Sequence, residues 1–303
     1  MKITSTIIYV LAVILSINNR LYSFENRIEK EIVLQGYERS YTIVLPSNYN
    51  QLQKYPAIIA LHGGGGSGQQ CEKSYALTNW ANKNGYIMVY PDGVKKKGLI
   101  KLRTWNAGTC CGNASENNVN DVEFISLIID DLVKNYFSDS EKIFVVGMSN
   151  GGMMAYKLAC EIPNKIRGIA VVSGTMVTNK VYNNLIPVPI LHIHSINDKR
   201  VPVKGGKGVF DYYFPSVDSV LSIWKKINKC DENNKQILKG IDFTNYKWYN
   251  DKGDLMIDYY LTEDGGHSWP QGKKGAVFGD KPATSINAND LIFYFFNTLC
   301  NRK

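Results

Sequence analysis

The sequence predicts an α/β fold, a mostly parallel central sheet with helices on both faces. Short apolar runs without polar interruption recur along it, strand-like and helix-like segments alternate from residue 57 onward, and no linker, repeat or low-complexity tract divides them. Unbroken apolar runs of this length read as strands covered on both sides. Their alternation with helical patterns is the mark of parallel βαβ units. With 303 residues, 44% of them hydrophobic and 20% charged, the composition is ordinary for a globular chain. The length suits one large domain at least as well as two small ones, and a single domain over 24–303 is expected.

Taken in order, Glu31–Leu34 and Tyr41–Leu45 read as strands around a hairpin-like break at Gln35–Glu38. Ala57–Leu61 is a buried strand ending in a glycine-rich loop, and Tyr75–Asn84 a helix closed by Gly85. Ile87–Tyr90 is a strand stopped by Pro91-Asp92-Gly93, and 94–118 reads as a long irregular loop. A helix is expected over Asn120–Phe137, with Asn120 and Glu123 spaced as a capping box. Its apolar side carries Val122, Ile125, Ile128, Ile129, Leu132 and Val133. Ile143–Val146, Ile169–Val172, Val188–His194 and Leu255–Leu261 are further strands. Met153–Cys160, Val217–Ile227 and Ala288–Leu299 are further helices.

Residues 1–23 stand apart. Ile7–Ile17 is apolar but for one serine, follows a basic start and closes on Asn18-Asn19-Arg20. It is short for a bilayer span and fits the core of a signal peptide, so export without a stable membrane anchor is expected. Loss of this segment removes Lys2 and Arg20, leaving 33 bases against 27 acids and lowering the formal charge from +8 to +6. The bases are scattered and no nucleic-acid module is recognisable. Six cysteines remain, an even number that fits disulfides in an exported protein without choosing a pairing. The chain has four histidines and neither a C-x-x-C nor an H-E-x-x-H, so no metal or other cofactor is expected.

Gly147-Met148-Ser149-Asn150-Gly151 is a G-x-S-x-G set between the apolar strand IFVV and a helix starting near Gly152. That context is the strand–turn–helix of a nucleophile elbow, in which small residues permit a sharp turn that lifts the serine above the sheet. It identifies the architecture as the α/β-hydrolase fold, where nucleophile, acid and histidine follow in that chain order. His62, His192 and His194 all precede the best acid, so His267, in a loop after the strand LMIDYYL, is the expected base. Asp198, in the loop after VPILHIH, is the expected acid that fixes its tautomer, with Asp211 and Asp218 in reserve. The oxyanion calls for backbone donors. These are assigned to Asn150 and to the loop after AIIAL, with Gly64 preferred to Gly63. His62 reads as a residue that orients this loop.

The loop also spells Gly63-x-Gly65-x-x-Gly68, with Asp92 ending the next strand. A nicotinamide-dependent oxidoreductase is therefore a rival from another class, though no helix opens directly on these glycines. A catalytically idle binding protein on the same scaffold is a second rival. A P-loop is excluded by Gln69 where lysine is required.

Four segments together resemble the secreted polyhydroxybutyrate-depolymerase-like and feruloyl-esterase family. They are Trp105–Gly112 with Asn118–Val122, GMSNGGMMAYKLAC at 147–160, HIHSINDKRVPVKGG at 192–206 and GGHSWPQG at 265–272. The likeness runs from about residue 35 to 297. Family members usually carry Asp at the position of Asn120 and Gly at that of Ser195. The resemblance implies an exported serine esterase acting on feruloyl or acetyl esters of plant-wall polysaccharide or on hydroxyalkanoate esters, polymeric substrates included. Trp105 and Trp269 are candidate walls of an acyl or aromatic pocket, with packing in the core as the alternative. Cys110 and Cys111 are expected either to join each other or to pair with Cys71 or Cys160. Asn113-Ala114-Ser115 is a glycosylation sequon.

Overall fold

The computed structural model describes residues 26–96, 102–178, 180, 182, 185–273 and 279–302. The expected signal peptide at 1–23 lies outside the described residues. Ten strands form one sheet: β1 (Arg27–Leu34), β2 (Tyr37–Val44), β3 (Tyr55–Leu61), β4 (Ile87–Pro91), β5 (Ser138–Met148), β6 (Gly168–Val172), β7 (Ile190–Ser195), β8 (Cys230–Lys239), β9 (Phe243–Asn250) and β10 (Leu255–Thr262). Their spatial order is β1-β2-β4-β3-β5-β6-β7-β10-β9-β8. The six strands from β4 to β10 in that order are parallel. An antiparallel pair flanks them at each end.

The apolar runs are continuous because successive side chains enter different cores. In β3, Ala57, Ile59 and Leu61 join one cluster, while Ile58 and Ala60 join the other. The first cluster is closed by α3 (Asp121–Asn135), α4 (Asn150–Glu161) and α5 (Val217–Ile227). The second is closed by α1 (Gly68–Tyr75), α2 (Leu77–Asn84) and α6 (Ala288–Cys300). Among the described residues, no helix is long and apolar enough to cross a membrane.

Several expectations are corrected in detail. The helix read over Tyr75–Asn84 starts at Leu77, because Ala76 adopts φ 55° and turns the chain out of α1, a helix that has no counterpart in the sequence reading. In α3 the buried stripe is Phe124, Ile125, Ile128, Ile129 and Leu132, while Val133 faces solvent. The capping pair holds, with Asn120 Oδ1 accepting from the Glu123 amide. The loop 94–118 contains a small hairpin, Val94–Lys95 with Arg103–Thr104, and one helical turn at Asn113–Glu116. Strands β8 and β9 have no counterpart in the sequence reading. Cys110 and Cys111 are joined to each other, and Cys71, Cys160, Cys230 and Cys300 are free thiols.

Candidate active site

Parallel strands bring their C-terminal ends to one edge of a sheet, where loops from distant parts of the chain meet. Gly63 and Gly64 follow β3, Ser149 follows β5, Asp198 follows β7 and His267 follows β10. All the residues expected to do chemistry therefore lie along the same edge.

Ser149 sits at φ 55° and ψ −122°, a region rarely used by a residue with a side chain. The turn is held by main-chain bonds, from the Ser149 amide to the Val172 carbonyl and from the Met153 amide to the Ser149 carbonyl, both 2.9 Å. Its glycines are obligatory for space. A Cβ on Gly147 would lie 2.4 Å from the Gly151 carbonyl group, and one on Gly151 2.4 Å from the Leu61 oxygen.

The glycine loop lies directly against this elbow. A Cβ on Gly63 would stand 3.6 Å from Ser149 Cβ, and one on Gly64 3.7 Å from Asn150 Cβ. Most of the loop's amides are already engaged. The Gly63 amide faces the Tyr75 hydroxyl, Gly65 donates to the Arg103 carbonyl and Gly66 to the Gly63 carbonyl. The Gly63 oxygen also accepts from His62 Nδ1 at 2.7 Å. Because a trans peptide unit points its oxygen and its N–H in opposite directions, the Gly64 N–H points away from both of those donors.

His62 is fully buried, and burial pushes its ring down to about 4. Its Nε2 accepts from the Gly93 amide while its carbonyl accepts from Trp105 Nε1. Through its ring and its carbonyl, His62 thus ties three loops together. Asn150 does the same on the other side, its side-chain amide exchanging two hydrogen bonds with the Trp105 main chain.

His267 Nδ1 donates to Asp198 Oδ2 at 2.8 Å. The carboxylate can only accept, which leaves Nε2 of the ring free to act as a base. Asp198 is buried, and burial disfavours its charge. Hydrogen bonds from His194 and His267 outweigh that penalty and hold the carboxyl well below its ordinary range. Its Oδ1 accepts from the amides of Arg200 and Val201, each at 2.9 Å. Asp211 and Asp218 take no part: Asp211 ends a short helical turn and Asp218 lies in the first turn of α5. Among the described residues, no hydrogen bond joins the Ser149 hydroxyl to the His267 ring.

Trp105 and Trp269 are packed rather than displayed, being 0% and 2% exposed. Trp105 Nε1 is spent on His62. Trp269 stacks on Tyr75 with ring centroids 4.1 Å apart and donates to Asn289. Neither offers surface for a ligand, so the pocket-wall expectation gives way to the core alternative. The glycine fingerprint also fails as a dinucleotide site. The Asp92 carboxylate that a ribose would need accepts from the Gly68 amide and Ser40 hydroxyl and pairs with Arg103.

Three supports escaped the sequence reading. Asp121 and Arg39 form a buried ion pair at 2.6 Å, and the second Asp121 oxygen accepts from the Asn106 amide, fixing the loop that carries Trp105. Asp280 accepts from the His267 amide at 2.7 Å. Asp264 gathers the amides of Thr284 and Ser285, and its own carbonyl accepts from the Ser195 hydroxyl. These partners lie tens of residues apart in most cases, and a capping or motif pattern does not reveal them.

A family described as Phospholipase/Carboxylesterase matches residues 48–222. The bifunctional acetylxylan esterase/xylanase XynS20E of Neocallimastix patriciarum is 28% identical over 240 residues, covering 77% of this chain and 31% of its own. A probable feruloyl esterase C of Aspergillus niger is 31% identical over 174 residues, covering 55% and 58%. The chain thus spans less than two thirds of the length of either relative. Among solved structures, an acetyl xylan esterase from Aspergillus awamori superposes with a TM-score of 0.62 at 14% identity, covering 89% of this chain and 99% of that one. That likeness is one of fold.

Proposed function

Since the chain belongs to the phospholipase/carboxylesterase family and is a carboxylic ester hydrolase of the α/β-hydrolase fold, we propose that it works through an acyl-enzyme on Ser149. In this reading His267 is the general base, Asp198 orients it, and the Asn150 and Gly64 amides receive the oxyanion. The observation that carries it is the 2.8 Å bond between His267 and Asp198 on the strand edge that also presents Ser149.

The Ser149 oxygen bonds to the ester carbonyl carbon as its proton passes to His267 Nε2. Contacts between nucleophile and base commonly tighten only around bound substrate, which is when this transfer takes place. The carbonyl oxygen gains the negative charge, beside the first amide of α4 and the unspent Gly64 N–H. Collapse breaks the bond to the alcohol, which leaves with the proton from His267. Water then attacks the acyl group, giving its proton to His267. Ser149 recovers it as the acid departs.

The substrates proposed are acetyl or feruloyl esters of plant-wall polysaccharide, met outside the cell after export through residues 1–23. The relatives, an acetylxylan esterase/xylanase and a feruloyl esterase, support the ester class, and the apolar run at Ile7–Ile17 supports export. Hydroxyalkanoate esters are the second substrate class, favoured only by the family resemblance. A fluorophosphonate probe should label the protein, with the adduct mapped to Ser149. A protein that resists labelling is the idle scaffold instead. Comparing kcat/KM on methyl ferulate, acetylated xylan and hydroxybutyrate oligomers then separates the ester classes. A preference for the oligomers overturns the plant-wall assignment.

A further inference from the structure

Strand β7 carries two histidines at alternate positions, His192 and His194, so both rings leave the same face of the sheet. Both are buried and they stack, with ring planes 4° apart and centroids 5.5 Å apart. Their polar contacts run in single file. Tyr156 Oη, on α4, lies 2.8 Å from His192 Nδ1, and His192 Nε2 lies 3.2 Å from His194 Nδ1. His194 Nε2 lies 2.8 Å from the Val201 carbonyl and 3.3 Å from Asp198 Oδ2.

The direction of this file follows from its ends. A carbonyl and a carboxylate only accept, so His194 Nε2 carries a hydrogen. If the His194 Nδ1 is a bare lone pair, His192 Nε2 donates to it, and the His192 Nδ1 accepts the Tyr156 hydroxyl. Every polar atom in the file is then satisfied without a buried imidazolium. The opposite direction needs a charge on His194 and leaves the Tyr156 proton without an acceptor in the file. Burial supports the first arrangement, since it holds His192 well below and Tyr156 well above their ordinary values.

We infer that His194 is a positioning residue, a neutral donor that shares its Nε2 hydrogen between the Val201 carbonyl and Asp198 and is kept neutral by the hydrogen bond that His192, itself backed by Tyr156, gives to its Nδ1. It completes the carboxylate's coordination. Two backbone amides reach Oδ1, and the two imidazoles of His194 and His267 reach Oδ2. With both oxygens held, the carboxylate cannot rotate away from His267. The titratable groups facing the file are Tyr156 on α4, Tyr259 on β10, whose ring meets His192 edge-on at 5.5 Å, and Asp198 and His267 in the edge loops.

The inference rests on Asp198 being the acid partner of His267, so the test has one arm that does not depend on catalysis. In the Ser149→Ala protein labelled with 15N-histidine, rings 192 and 194 should both report neutral Nε2–H tautomers between pH 6 and 8. An imidazolium or an Nδ1–H tautomer at 194 overturns the inference. In the active enzyme, His194→Asn removes the donor and should lower kcat about tenfold with KM little changed. Its acidic kcat/KM limb should move up by about half a pH unit, because the charge on Oδ2 then falls on His267 alone. His194→Gln, which can place an amide N–H where Nε2 was, should recover most of the loss. Kinetics and pH profiles like wild type in both variants overturn the inference. If His194→Asn does not fold, Tyr156→Phe keeps the packing, and ring 194 should keep its neutral Nε2–H form because the Val201 carbonyl and Asp198 still hold that hydrogen; an imidazolium or an Nδ1–H form at 194 in this variant overturns the inference. Full activity in Asp198→Ala defeats the triad reading and leaves the tautomer result at 194 standing.

Discussion

His267 reaches Asp198 across 69 residues of sequence to make a 2.8 Å bond from Nδ1 to Oδ2. In the proposed mechanism this geometry sets the tautomer of the base, and Asp198→Asn should therefore damage turnover rather than binding. The expected loss in kcat is about 10³ to 10⁴-fold with a near-normal KM. Steady-state kinetics on a p-nitrophenyl ester reads it, and a loss below tenfold removes Asp198 from the mechanism.

The elbow should tolerate no added methyl at Gly151, where a Cβ would overlap the Leu61 and His62 carbonyl oxygens at 2.4 and 2.6 Å. Gly151→Ala should lose about 1 to 3 kcal/mol of stability, or more. Gly64→Ala is the contrast, because its Cβ would meet only Asn150 Cβ at an ordinary 3.7 Å. Its denaturation midpoint should match wild type. Equal midpoints for the two variants contradict the close packing drawn at Gly151.

Arg39 and Asp121 are each almost wholly buried, and burial works against both charges. Removing one partner strands the other. Arg39→Met should cost about 3 to 5 kcal/mol in urea unfolding, and replacing both with apolar residues of similar size should return part of it. The guanidinium also leaves Nε and Nη1 without hydrogen bonds while stacking over Phe124 at 3.9 Å, so the methionine can keep part of the packing.

Asp258 is buried on β10 with its Oδ1 accepting from Asn245, and burial raises it to about 6 from an ordinary 3.8. The native state therefore binds this proton more tightly than the unfolded chain. Stability attributable to the group falls as pH rises from about 4 to 6, by about 2 to 3 kcal/mol in all. Asp258→Asn escapes the penalty and can still accept from Asn245. It should melt above wild type at pH 8, with the difference closing below pH 4. A constant difference across that range contradicts the raised carboxyl.

The parallel half of the fold was readable because its strands carry short, mostly apolar runs buried on both faces, most of them with glycine or proline near an end. Gly147-x-Ser149-x-Gly151 and the order of Ser149, Asp198 and His267 pointed to one edge for the same reason. Strands β8 and β9 were not readable: β8 is exposed along most of its length and β9 buries only Asn245 and Trp248, so neither shows the expected alternation. The break at Ala76 carries no glycine or proline to announce it. His192 and His194 looked like strand residues, although their spacing of two already put both on one face. Asp280 and Arg39 matter through contacts that only the folded chain creates.

Residue 149 shapes its own bend through the main chain alone, by its amide to Val172 and its carbonyl to Met153. Among the described hydrogen bonds, the side chain contributes none. The hydroxyl can accordingly be stripped away while the cradle keeps its form. If Ser149 is the nucleophile as proposed, an alanine-substituted protein should act as a capture reagent, retaining an uncleaved ester from a mixture of candidate esters until mass spectrometry identifies it.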